Sequence, residues 1–183
     1  MDKELKRQLF HILAGAAVLF ILFYQGREVA ISAVFCVLTF GMLLMNKRLQ
    51  GGKLRIVGWF EEQFERDNPP LPGWGSACYT TGVLMLLTFL TDPAKMAAGI
   101  IILAVGDAFS TIVGRYGTHR IPYNKGKTLE GAAAFFISSL SAYHFIGPAV
   151  ILLAILAMVV ETLPGLEDNL TISLACTIFL LAV

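Results

Sequence analysis

The sequence predicts an all-α fold: a polytopic transmembrane bundle of about seven spans with a cytoplasmic amino terminus. Three observations carry this. Hydrophobic residues make up 56 % of the 183 and charged residues only 15 %, against about 45–50 % and about 25 % in soluble domains. The apolar residues gather into runs that approach the ~18–20 needed to cross a bilayer. Lys and Arg concentrate in alternate connections between those runs. A soluble enzyme, a disordered segment and a secreted disulfide scaffold are excluded. With a net charge of +1 there is no basic field to attract nucleic acid.

The first run, Leu9–Tyr24, follows the basic residues Lys3, Lys6 and Arg7. It has the outline of a signal peptide, but the rest of the chain is just as apolar and no small-residue cleavage site stands out. A retained first span is expected. The next runs are Val29–Met45, Gly75–Leu90, Ala94–Val113, Leu129–Ile146, Ala149–Leu163 and Leu170–Val183, of which the last two are short. Together they make residues 1–183 one integral membrane domain with no internal repeat. Between the second and third runs, KLRIVGWFEEQFERD sets Ile56, Val57, Phe60 and Phe64 against Glu61, Glu62 and Glu65. That spacing predicts an amphipathic helix in the membrane interface. The segment from Asn68 to Gly73, with three prolines, then ends the helix and starts the next span.

Charge sets the orientation. The amino terminus, the second-to-third connection (Lys47, Arg48, Lys53, Arg55, Arg66) and the fourth-to-fifth (Arg115, Arg120, Lys125, Lys127) hold twelve Lys and Arg; the opposite side holds only Arg27 and Lys95. The crowded side is expected to be cytoplasmic. Cys36, Cys78 and Cys176 sit singly in apolar runs and read as packing thiols.

Four polar clusters remain, all on the crowded side. An ionisable group inside a span costs roughly 2.5–3.5 kcal/mol on insertion scales and usually faces a cavity or a partner. Asp107 is such a group, and on a helix it shares a face with Thr111 and Gly114. An interhelical hydrogen bond is the plainer role for it; a metal ligand or base is the chemical one. Second comes Arg115, Tyr116, Gly117, then Asn124-Lys125-Gly126-Lys127-Thr128-Leu129-Glu130-Gly131. Gly126-Lys127-Thr128 is not a P-loop, because Ile121 stands where the Walker glycine belongs. Its composition still suits phosphate, and a helix starting near Leu129 would point free N–H groups outward. Third, Glu161, Glu167, Asp168 and Asn169 form an acidic turn on the side where positive charge prevails. With Asp107 those carboxylates suit a magnesium–triphosphate complex. Fourth, Arg7 and His11 lie one helical turn apart at the start of the first span.

In this order the motifs resemble the CTP-dependent polyprenol kinase family, which includes dolichol kinase, phytol kinase and the fungal diacylglycerol kinase. The resemblance rests on Gly106-Asp107, Gly114, Gly117, Lys127-Thr128-x-Glu130-Gly131, then Glu161 and Asp168-Asn169-Leu170-Thr171-Ile172, with Arg7 and His11 as the amino-terminal signature. Where the family often reads Arg-Lys, this chain has Arg7-Gln8, and Pro72-Gly73-Trp74 has tryptophan where a polar residue is expected. The resemblance implies transfer of the CTP γ-phosphate to the hydroxyl of a membrane isoprenoid alcohol at the cytoplasmic face, with Mg2+ as cofactor. It assigns catalysis to Asp107 and His11. It assigns the nucleotide to Arg7, Gly114, Arg115, Gly117, Lys125, Gly126, Lys127, Thr128, Glu130, Gly131 and Asn169, and the metal to Asp107, Glu161 and Asp168. The expected partners are CTP, the lipid alcohol and membrane lipids, with homo-oligomerisation left open. Other activities weighed are a CTP-dependent diacylglycerol kinase, CDP-lipid synthesis like that of phosphatidate cytidylyltransferase, and a small transporter. Arg120 is expected mainly to set orientation.

Overall fold

The computed structural model describes residues 2–52, 54–65 and 70–183. Lys53, Arg66, Asn68 and Pro69, which entered the expectations above, lie outside the described residues, as does the side chain of Ile56. The elements in order are α1 (Lys3–Gln25), α2 (Arg27–Leu49), α3 (Arg55–Phe64), α4 (Trp74–Phe89), α5 (Pro93–Gly114), a hairpin of β1 (Arg120–Ile121) and β2 (Asn124–Thr128), α6 (residues 129–146), α7 (Ala149–Glu161) and α8 (Asp168–Ala182). Each expected apolar run falls on a helix. By length and composition, α1, α2 and α5 are long and apolar enough to cross a membrane, while α7 and α8 are shorter apolar helices. The hairpin is an addition to the all-α expectation.

Helices α4, α5, α6, α7 and α8 form the packed centre around Leu86, Ile100, Leu103, Phe135, Leu153 and Ile172, all fully buried. α1 and α2 pack against one side, and α2 leaves most of its surface outside. Leu13, Phe20, Val37, Phe40, Ile137, Leu152 and Ile178 point outward, each more than half exposed. A soluble monomer rarely exposes that much contiguous hydrocarbon; a helix surrounded by lipid does so along its whole length.

Two local devices position the polar clusters. The first is inside α5, where residues Ile102–Gly106 form a π-helical turn immediately before Asp107. Such wide turns interrupt α-helices mostly at functional sites. Gly106 makes room for it: a Cβ there would fall 2.7 Å from Ser139 Oγ and 3.2 Å from the Phe135 ring. The second is the contact of α5 with α6. A Cβ on Gly131 would meet the Ser110 carbonyl at 2.9 Å and Gly114 Cα at 3.0 Å, so the two backbones touch.

Both ends of the bundle are pinned by cations. At one end Arg27 donates to the carbonyls of Leu87 (2.9 Å) and Thr88 (2.7 Å), and Lys95 to that of Leu180 (3.0 Å). At the other end Arg115 pairs with Asp2, joining the close of α5 to the start of α1. There α3 lies across α1, with Phe10, Phe60 and Phe64 clustered edge-to-face and tilted at 5.0–5.3 Å between ring centroids. Arg48 reaches Glu61 at 3.3 Å and ties α2 to the same helix.

Candidate active site

The hairpin is the arm that assembles the site. Its strands pair antiparallel with Arg120 opposite Thr128, and Ile121 is buried beneath it. Asn124 Nδ2 donates to the Thr162 carbonyl at 3.0 Å, and the hydroxyls of Tyr123 and Thr162 share a hydrogen bond of 2.8 Å. These bonds fasten the hairpin to the α7–α8 connection. Thr128 closes the other side as the N-cap of α6: its Oγ1 accepts from Gly131 N–H at 3.1 Å and donates to the Gly114 carbonyl at 3.3 Å. A threonine here stabilises the helix start by about 1 kcal/mol and also binds α6 to α5.

Lys127, held between these anchors, donates to Asp168 Oδ2 at 2.7 Å and to Glu161 Oε1. Glu161 Oε1 also accepts from Ser110 Oγ at 2.7 Å. Carboxylate oxygens of Asp107, Glu161 and Asp168 lie within 4.8 Å of one another. Burial disfavours the Lys127 charge, but Asp168, Glu161 and Asp107 around it outweigh that and raise its pKa above the ordinary lysine value. Lys127 is bonded to two of the three carboxylates, and Glu161 Oε2 is buried with no hydrogen-bond donor. Three carboxylates this close, with a buried oxygen left unsatisfied, fit a hard divalent cation of the magnesium kind.

Beside the cluster opens a cleft of about 460 Å³. Of the residues expected to bind nucleotide, Gly114, Arg115, Gly126, Lys127, Thr128 and Gly131 line it, together with Glu161 and Asp168. The others stand apart. Lys125 is exposed and outside the lining, and Gly117 packs on Thr128 and Glu130. Glu130 turns to the loop before the hairpin, accepting from the Thr118 N–H at 3.0 Å and from His119 Nδ1 at 2.8 Å. It braces the arm. Asn169 is buried under the α8 start, with its Oδ1 unpartnered. Arg7 bonds to Glu4 at 2.6 Å and borders a second polar recess of about 360 Å³ with Glu65, Thr111 and Arg115. Three cleft residues, Ser110, Thr111 and Arg120, lay outside the expected site set. Ser110 lies three positions after Asp107, a spacing that already places it on the same face. Arg120, expected mainly to set orientation, lines the cleft as well.

His11 belongs to neither polar recess. Its ring stacks on Tyr79 at 4.4 Å, and the Tyr79 hydroxyl donates to the His11 carbonyl at 2.8 Å. Both line a groove of about 560 Å³ between α1, α2 and α4.

Along 92 % of its length the chain is 31 % identical to the uncharacterized protein MJ1137 of Methanocaldococcus jannaschii, covering 87 % of that relative. The chain belongs to the same family as MJ1137. It is also 29 % identical to the chloroplastic farnesol kinase of Arabidopsis thaliana over 94 % of this chain and 63 % of that one. With phytol kinase 1 of the same plant it shares 28 % identity over 96 % of this chain and 65 % of the relative. The chain thus spans just under two thirds of either plant kinase. These likenesses support a polyprenol-type kinase family. No family model matches the chain, and no solved structure matches it.

Proposed function

We propose that the protein is a lipid-alcohol kinase that transfers the γ-phosphate of CTP to a membrane isoprenoid alcohol. The observation that carries this reading is the convergence of Asp107, Glu161 and Asp168 beside the cleft, with Lys127 bonded to the last two. Phosphoryl transfer needs positioning and charge neutralisation more than covalent chemistry by the protein, and this cluster offers both. The nucleotide and the hydroxyl meet at one face, for which the distribution of Lys and Arg supports the cytoplasmic side. Seven spans place the other terminus opposite.

Lys127 and Arg120 bind the phosphates in the cleft, where an ammonium and a guanidinium meet the positive end of the α6 dipole and all favour negative charge. Asp107, Glu161 and Asp168 would hold Mg2+, which supplies neutralisation of the charge shared between the β- and γ-phosphates. The alcohol oxygen attacks the γ-phosphorus, the bond from that phosphorus to the β-bridging oxygen breaks, and CDP leaves with the electron pair. Asp107 receives the hydroxyl proton. Ala104, one turn before Asp107, and the Tyr79 hydroxyl both close on Gly15 of α1, at 2.8 and 3.0 Å from the place of a Cβ, which supports a place for Asp107 at the junction of cluster and groove.

The test is an assay of purified protein with γ-labelled CTP or ATP against farnesol, phytol, a long polyprenol and diacylglycerol. A labelled isoprenoid phosphate with CDP as co-product is expected, with activity lost in excess chelator. A CDP-lipid product, or full turnover in chelator, overturns the reading.

A further inference from the structure

The groove beside His11 has no part in binding nucleotide, and its walls are hydrocarbon. On α1, Phe10, Ala14, Ala17, Val18 and Ile21 form one continuous stripe along it. The space exists because small residues face one another there: Ala14 and Ala17 from α1, Gly41 from α2, and a Cβ on Gly41 would meet nothing within 4 Å. From Phe10 to Ile21 the stripe is about 16 Å long at 1.5 Å per residue, close to half of a hydrocarbon core of ~30 Å. The groove therefore has the depth of a single leaflet. Its lower part is lined by hydrocarbon, and the proton of Thr80 Oγ1 is taken up by the Ser76 carbonyl at 2.8 Å. Its upper end is different. His11 and Tyr79 stand there, and Phe60 of α3 lines the same end; a Cβ on Gly15 of α1 would meet the Tyr79 hydroxyl at 3.0 Å and Ala104 of α5 at 2.8 Å, so this end of the groove abuts α5 one turn before Asp107.

We infer that this groove holds the tail of the acceptor alcohol, a single prenyl chain of farnesyl to phytyl length, with its hydroxyl end at His11 beside Asp107. The inference rests on the kinase reading above and adds where the tail lies and what limits its length. A single-leaflet groove ending at the carboxylate cluster delivers one chain with one terminal hydroxyl. A diacyl lipid has two chains and a broader head, which this one stripe does not accommodate. Chain length is then measured from His11 downward, with Ala33, Val34 and Val83 at the far end.

The experiment uses the full chain in phospholipid nanodiscs. A farnesol analogue with a diazirine on its last isoprene unit is photolysed without nucleotide, and the adducts are mapped by mass spectrometry. Adducts near Val34 and Val83 that phytol displaces are expected. In parallel, kcat/KM is measured for geraniol and phytol in Ala17→Phe, which fills the groove midway. The phytol-to-geraniol ratio should fall by about tenfold or more, since one methylene misplaced in an apolar pocket already costs about 10–200-fold. Leu13→Phe, on the outward face of α1 at 67 % exposure, should leave the ratio alone. If Ala17→Phe fails to fold, Gly41→Leu narrows the same space from α2. Adducts elsewhere, an unchanged ratio in a folded variant, or displacement by phospholipid as readily as by phytol each overturn the inference while leaving kinase activity standing. Displaceable adducts in the groove of a protein that phosphorylates no alcohol overturn the kinase reading instead.

Discussion

The cleft and the groove are of similar size, about 460 and 560 Å³, but their space is made in opposite ways. The cleft is framed by groups that hold one another: Thr128 on Gly114, Ser110 and Lys127 on Glu161, Asn124 on Thr162. The groove is framed by side chains that are missing, with alanines and a glycine where leucine would close it. A phosphate must be placed within fractions of an ångström, because a 1 Å error can cost a hundredfold in rate. A hydrocarbon tail needs only an apolar surface of the right length. Substitutions in the cleft should therefore act steeply, and those in the groove by degrees.

The steepest effect is expected at Asp107. Asp107→Asn keeps the shape and removes the charge, so turnover should fall by about 10²–10⁴, the range for a lost general base. Near-wild-type turnover would reduce Asp107 to a helix-packing group and erase the contrast between the two cavities at its most important point. Next is Lys127→Ala, expected to raise the KM for nucleotide by about 10–100-fold, equivalent to roughly 1.5–3 kcal/mol for hydrogen bonds to a charged group. Arg120→Ala should move the same constant less, and an unchanged value would return Arg120 to the role of an orientation signal. Gly131→Ala tests the framework without touching charge. Its Cβ would press on the Ser110 carbonyl and Gly114 Cα, both backbone, so α5 and α6 must separate at a cost of about 1–3 kcal/mol. Thermal unfolding should show the loss, with nucleotide affinity falling alongside it.

The smallest effect belongs to Glu65, at the edge of the recess that Arg7 borders. Burial pushes its carboxyl above the ordinary glutamate value, although Gly75 N–H donates to Oε1 at 3.2 Å. A raised folded value means that the favourable contribution is complete below the unfolded pKa of about 4.3 and is lost as pH rises through the folded one. Glu65→Gln should then raise Tm by about 1–3 °C at pH 7 and change nothing at pH 4. An equal shift at both values would assign the effect to shape rather than charge.

Hydrophobic runs were enough to place every helix but α3, which amphipathic spacing marked, because an apolar stretch of that length has few other options. Asp107, Lys127, Glu161 and Asp168 were legible for a similar reason: charge is expensive in such a sequence, so each charged residue stands out. The hairpin was not legible. Strands of two and five residues leave too little alternation to read, and they are held by bonds to Thr162, far along the chain. Nor was the bracing role of Glu130, whose motif position pointed to phosphate while its oxygens turn to Thr118 and His119. The wide turn at Ile102–Gly106 was also invisible, since it is fixed by Phe135 and Ser139 of another helix pressing on Gly106.

That wide turn bears on how sequences should be set side by side. A π-helical turn, bonded i to i+5, absorbs one more residue than the α-helical turn it replaces, while α-helix continues on both sides of it. Within Ile102–Gly106 the chain can thus lose one residue and leave Met96 and Ile100 in the core and Asp107 at the cluster. A one-residue gap at this point in an alignment marks a change of winding, and carboxylates on either side of the gap should still be matched to each other.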